Sequence, residues 1–62
     1  MDNIAPGTIW RHTNDNTYTV LYIANEFTEY SEAYPPTVVY IENNGRIWAR
    51  LASDWHRSMT QI

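Results

Sequence analysis

Thr37-Val38-Val39-Tyr40-Ile41-Glu42-Asn43-Asn44-Gly45-Arg46-Ile47-Trp48-Ala49-Arg50-Leu51 is the stretch that decides the fold. Both arms are rich in β-branched and aromatic residues, which fit a pleated, half-buried surface. Asn43-Asn44-Gly45 between them supplies residues that tolerate the left-handed backbone of tight hairpin turns. The stretch therefore reads as a β-hairpin, and two registers are open. A type I′ turn at Asn44-Gly45 sets Ile41 opposite Trp48. A type I turn over Asn43-Asn44-Gly45 with a G1 bulge sets Tyr40 opposite Trp48, and Val38 and Arg50 become the next pair on that face. One residue of slip exchanges the two faces. The bulged form is the one we favour.

Upstream, Thr17-Tyr18-Thr19-Val20-Leu21-Tyr22-Ile23-Ala24 contains almost nothing but good strand formers. It is apolar on both faces, as expected of a central or sharply curved strand. Thr13-Asn14-Asp15-Asn16 is a turn cluster, Thr8 to His12 reads as a first strand, and Pro6-Gly7 marks a turn before it. Asn25 to Pro36 is a long loop carrying Glu26, Glu29, Glu32, Phe27, Tyr30 and Tyr34 and closing on Pro35-Pro36. Loops of that length are usually functional or mobile. Downstream, Ala52-Ser53-Asp54-Trp55-His56 breaks the alternation, and Ser53 or Asp54 could cap a single 3₁₀ turn. Arg57 to Ile62 fits a short last strand. The expected fold is all-β: one domain over residues 1–62, a small five-stranded SH3-like barrel with a long 25–36 loop and a 3₁₀ turn before the last strand. That analogy licenses no function by itself.

Composition narrows the classes. The chain has 62 residues and no cysteine, so disulfides and thiolate metal sites are out. His12 and His56 alone cannot close a tetrahedral zinc site, and no cofactor is expected. Three Trp, five Tyr and one Phe provide large apolar area for a small core. A core of this size supplies only about 3–5 kcal/mol of net stability, so a homo-oligomer is a natural expectation. No apolar run reaches the ~18 residues of a membrane span. Met1 to Gly7 lacks the basic and apolar regions of a signal peptide. A cytoplasmic location is therefore expected.

Net charge is −3, which argues against nucleic acid as a partner, since that binding needs a surplus of cations. The basic residues are all arginine, and Arg46, Arg50 and Arg57 lie in the C-terminal third. A guanidinium is a planar fork suited to carboxylates, phosphates and aromatic rings.

Pro6-Gly7, Arg11-His12, Tyr18-Thr19-Val20, Val38-Val39-Tyr40 and Trp48-Ala49-Arg50 fall in an order that resembles an uncharacterised family of short bacterial and phage proteins. Its pattern runs roughly P-G-x-aromatic-x-H, Y-x-V, V-V-Y and W-x-R-P. The likeness spans about residues 6–57, and the Asp54-Trp55-His56-Arg57 ending is similar to the phage and prophage members. Leu51 departs from the pattern, which has proline there, and so does the expanded 25–36 loop. The resemblance implies an all-β fold and a phage setting; it brings no catalytic residues.

Arg46, Trp48 and Arg50 share one strand face. With Tyr40 they offer rings to stack on and forks to clamp an acidic or phosphate-bearing ligand. The competing reading makes Trp48 core, with the arginines leaning over it. Trp10 and His12 share a face of the first strand, either as a site or as packing. Trp55, with His56 and Arg57, is either a plug for the barrel end or an exposed contact, and Asp54 is a ready ion-pair partner. Ser31, Ser53 and Ser58 sit in no strained elbow or Gly-rich setting, so catalysis has no support. The expected function is a non-enzymatic binding module, phage-encoded, that blocks a host protein or sequesters a small anionic, nucleotide-like ligand. Alternatives are a nucleic-acid-binding barrel and a small structural or assembly component.

Overall fold

The computed structural model describes residues 4–62, so Met1-Asp2-Asn3 of the segment read for a signal peptide lies outside the described residues. In chain order the elements are β1 (Ile9–His12), β2 (Thr17–Ala24), β3 (Thr37–Glu42), β4 (Ile47–Leu51), α1 (Ala52–Trp55) and β5 (Met59–Gln61). The strands form one antiparallel sheet of five, in the order β4-β3-β2-β1-β5. Among the described residues no helix is long and apolar enough to cross a membrane.

The β3–β4 hairpin takes the bulged register. Tyr40 lies opposite Trp48 and Val38 opposite Arg50. The Gly45 amide donates to the Glu42 carbonyl at 2.8 Å, and the Glu42 amide to the Arg46 carbonyl at 2.7 Å. Gly45 sits at φ +91°, the left-handed position that a G1 bulge reserves for glycine. Asn44 Oδ1 accepts from the Arg46 amide at 3.0 Å and holds the turn from inside.

In β2 the pairing with β3 shifts between Val20 and Tyr22. A bulge of this kind bends its strand. It explains why the segment is apolar on both sides: Val20 is buried, while Tyr22 is 67% exposed on the outer face.

The core is Trp10, Tyr18, Val20, Val38, Tyr40, Trp55 and Met59, and the strands contribute all but Trp55 from one inner face. α1 folds over that face and delivers Trp55. Its ring meets Trp10 edge-on at 5.6 Å and Tyr40 at 4.9 Å, and Tyr18 meets Tyr40 at 5.2 Å. Edge-to-face packing aims the positive ring edge at the negative ring face. Trp10 Nε1 donates to Thr8 Oγ1 at 2.9 Å, whereas Trp55 Nε1 is buried with no partner among the described residues.

Two expectations need correction. The break after β4 is one turn of α-helix, not 3₁₀, and neither Ser53 nor Asp54 caps it. Leu51 holds the cap position with extended backbone, and the Ala52 amide is satisfied by the Pro36 carbonyl at 3.0 Å. The sheet is also not closed into a barrel: β4 and β5 are its edges. Trp55 packs over the core against Trp10 of β1 and Tyr40 of β3.

The 25–36 loop is compact. Asn25, at φ 60°, reaches across with Nδ2 to the Pro35 carbonyl at 3.2 Å and ties the two ends together. The Tyr34 amide closes a local turn on the Tyr30 carbonyl at 2.8 Å. None of the loop's aromatics anchors it to the core; Phe27 is 91% exposed.

Candidate functional site

The bulged register aims Arg46, Trp48 and Arg50 to the inner side of the sheet, beside Tyr40 rather than away from it. β4 is an edge strand, and this part of the inner face stays open, with Trp48 46% exposed. The result is a groove of about 340 Å³. Tyr18 and Tyr40 form its floor. His12, Asn14 and Asn16 rise on one side, and Glu42, Arg46, Trp48 and Arg50 on the other.

The two sides come together because the sheet curls. β1 and β4 are three strand spacings apart in sheet order, about 14 Å on a flat sheet. Yet Arg50 Nη2 lies 3.5 Å from His12 Nε2, across 38 residues of sequence. Arg50 is half-buried along the inner face to make that approach.

Hydrogen bonds fix the walls. Glu42 Oε1 accepts from Trp48 Nε1 at 2.8 Å, which holds the indole upright on the edge strand. Glu42 Oε2 accepts from Asn44 Nδ2 at 3.1 Å and Asn16 Nδ2 at 3.4 Å. On the opposite wall the Asn14 amide donates to His12 Nδ1 at 3.0 Å. The Asn16 amide donates to Asn14 Oδ1 at 2.9 Å, so the β1–β2 turn is built around its own side chains. The His12 ring packs edge-on against Tyr18 at 6.3 Å. Among the described residues the one ion pair is Arg57 with Asp54, at 3.1 Å, so Arg46 and Arg50 hold no carboxylate.

Five of the residues expected at a site therefore meet in this groove: His12, Tyr40, Arg46, Trp48 and Arg50. Tyr40 belongs to the floor and is nearly buried. Trp10 and Trp55 do not join them; both are fully buried, and the small core needs their area. Trp55 is thus a core residue and not an exposed contact, and with the sheet open there is no barrel end for it to plug. His56 and Arg57 are exposed but lie outside the groove, His56 with its ring 5.6 Å from Trp10 and Arg57 paired to Asp54. Asn14, Asn16, Tyr18 and Glu42 were not singled out from the sequence. Glu42 was within reach, since it shares the face of Tyr40 and Val38; the two asparagines carry no signal beyond a turn.

A depression of about 430 Å³ beside β5 is lined by Arg11, Thr13, Asp15, Ser58, Thr60, Gln61, Ile62 and also by His12, which the two depressions share. It has no Trp or Tyr in its lining and one arginine where the groove has two, so it offers a planar anion less than the groove does. Among the described residues no group of three His, Asp or Glu side chains stands close enough to hold a metal ion. No family model, curated protein or solved structure matches the chain.

Proposed function

We propose that this chain is a non-enzymatic binding module that holds a small, planar, anionic ligand in the inner-face groove. The observation that carries the reading is the convergence of Trp48, Tyr40, His12 and Arg50 on one open groove. The exposed indole of Trp48 gives a planar ligand a surface to stack on, and the nearly buried Tyr40 and Tyr18 close the floor beneath it. The guanidinium gives its acidic group a charged donor. A volume near 340 Å³ lies at the small end of ligand pockets, which run to about 1,000 Å³, and suits one nucleotide-sized molecule rather than a polymer. Glu42 in the wall and the net charge of −3 weigh against nucleic acid.

A second reading, blocking of a host protein, draws on the 25–36 loop. Phe27, Tyr30 and Tyr34 are 91%, 69% and 59% exposed there, among Glu26, Glu29 and Glu32. Exposed aromatics of this kind are the anchors of protein interfaces. The phage setting rests on the Asp54-Trp55-His56-Arg57 likeness, and a cytoplasmic location on the sequence expectation. A homo-oligomer or assembly role draws on the outer face of the sheet, where Ile9 of β1 and Ile47 of β4 are 48% and 63% exposed.

Tryptophan fluorescence tests the first reading. Trp10 and Trp55 are fully buried and Trp48 is not, so quenching by a ligand reports the groove. Titration with nucleoside 5′-monophosphates should quench Trp48, and Arg50→Ala should weaken the response about tenfold or more. An unchanged affinity in Arg50→Ala rules the reading out. Salt separates the nucleic-acid alternative, whose affinity falls steeply as salt rises.

A further inference from the structure

Glu42 and Arg46 close the β3–β4 hairpin, the Glu42 amide donating to the Arg46 carbonyl at 2.7 Å. Cross-strand neighbours of opposite charge stabilise a hairpin when they pair. These two do not pair. Glu42 gives Oε1 to Trp48 Nε1 at 2.8 Å and Oε2 to Asn44 and Asn16. Among the described residues Arg46 holds no carboxylate, and neither does Arg50. The Arg50 contact with His12 Nε2 uses one corner of the guanidinium fork. Two guanidiniums therefore line the groove with their charge unmatched. They stand four positions apart on one face of extended chain, about 13 Å from Cα to Cα. Trp48 lies midway between them on that face, its indole held by Glu42.

We infer that the groove takes a ligand with two acidic groups at opposite ends of a flat ring, the ring on Trp48, one group on Arg50 and the other on Arg46. The inference rests on the groove reading above and adds the number and spacing of the ligand's charges. A single acidic group answers one guanidinium and leaves the other unmatched on the far side of the indole. Two groups on one end of the ring crowd one arginine and do not reach the second. Opposite ends fit the span. A benzene ring with acids in para positions has outer oxygens about 7 Å apart, and a charge-assisted bond of about 2.8 Å at each end extends it to about 13 Å. Strand side chains stand roughly perpendicular to the sheet, so the two guanidiniums keep about the separation of their Cα atoms. Each can grip its group with two parallel bonds. Glu42, the one carboxylate in the groove, is turned to three neutral donors and takes neither arginine from the ligand.

The test is an NMR titration of the labelled protein, read at the Trp48 indole N–H, with isomer pairs of equal charge. Terephthalate carries its two carboxylates at opposite ends of the ring, and phthalate carries them side by side. Hydroquinone bisphosphate and catechol bisphosphate repeat the comparison with phosphate, and the pair that binds more tightly identifies the acid the groove prefers. In at least one pair the opposite-ended isomer should bind about three- to tenfold more tightly than its side-by-side partner, the range set by one half-buried and one exposed guanidinium. Arg46→Gln should bring the two isomers to near parity, because one remaining arginine holds one group of either. Arg46 is exposed, so the substitution spares the fold, and an unchanged backbone amide spectrum verifies it. If the isomers of both pairs bind equally, or the preference persists in Arg46→Gln, the second acidic group has no seat and the groove reading stands alone. If no probe moves the Trp48 indole, both fall.

Discussion

Trp10 and Trp55 pack against each other, both fully buried, yet they differ in one atom's fate. Trp10 Nε1 has Thr8 Oγ1 at 2.9 Å, and Trp55 Nε1 has no partner among the described residues. A buried donor without a partner costs about 1–3 kcal/mol, while a satisfied one contributes about 1 kcal/mol. Replacing either indole by phenyl loses similar packing. Trp55→Phe also removes the orphaned donor; Trp10→Phe discards a hydrogen bond. Urea unfolding should therefore show Trp10→Phe as the more destabilising change, by about 1 kcal/mol or more. Equal costs, or the reverse order, would show that Trp55 Nε1 is satisfied in solution. Truncating Trp55 to alanine should cost about 3–5 kcal/mol, as much as a domain of this size has to lose.

At the scale of elements, the hairpin is where local chemistry settles structure. The Gly45 backbone at φ +91° is accessible to glycine and costs other residues roughly 1–2 kcal/mol. A Cβ at Gly45 would meet nothing within 4 Å, so sterics against the rest of the molecule add no penalty. Gly45→Ala should lower stability by about 1 kcal/mol with the fold intact, read as a shift in urea midpoint at constant slope. A larger loss, or a changed slope, would mean the register had slipped and turned Trp48 outward. The same locality explains what the sequence discloses. β2 and β3 run over Thr17–Ala24 and Thr37–Glu42, the stretches that propensity marks, because strand formers fill them from end to end. The turn after β4 was harder. Its first amide is satisfied by the Pro36 carbonyl from a distant loop, so no capping residue is needed and none marks the start. The 25–36 loop announces its length and its exposure of aromatics, but the Asn25–Pro35 tie that compacts it spans ten residues and has no local signature.

The whole molecule adds what neither residues nor elements contain. The Arg46-Trp48-Arg50 alternation is readable from spacing, but the groove needs His12 as well, and that meeting across 38 positions comes from the curl of the sheet. Curl without closure has no local signature either, because strand propensity marks the strands and not whether the two edges meet. The other face of the same sheet is left uncovered. Ile9, Thr19, Ile41 and Ile47 form one row across four strands, and Tyr22, Val39 and Ala49 the next. These rows carry no charged residue, and Arg11 is displaced to the β1 end. Ile47 is 63% and Ile9 48% exposed. Single exposed apolar residues are ordinary; a contiguous uncharged face on a chain with net charge −3 is not. A second copy fits it, because two-fold pairing brings no like charge onto itself. A stable interface buries about 800 Å² per partner, under a fifth of the 4524 Å² this chain exposes. Sedimentation velocity over a wide concentration range should show a monomer–dimer equilibrium. Ile47→Glu should abolish it, since it buries like charges against each other in the dimer. Ile47 is exposed in the monomer, so that substitution should change monomer stability by no more than about 0.5 kcal/mol. A parent chain that stays monomeric at every concentration would leave the outer face without a second copy to cover it.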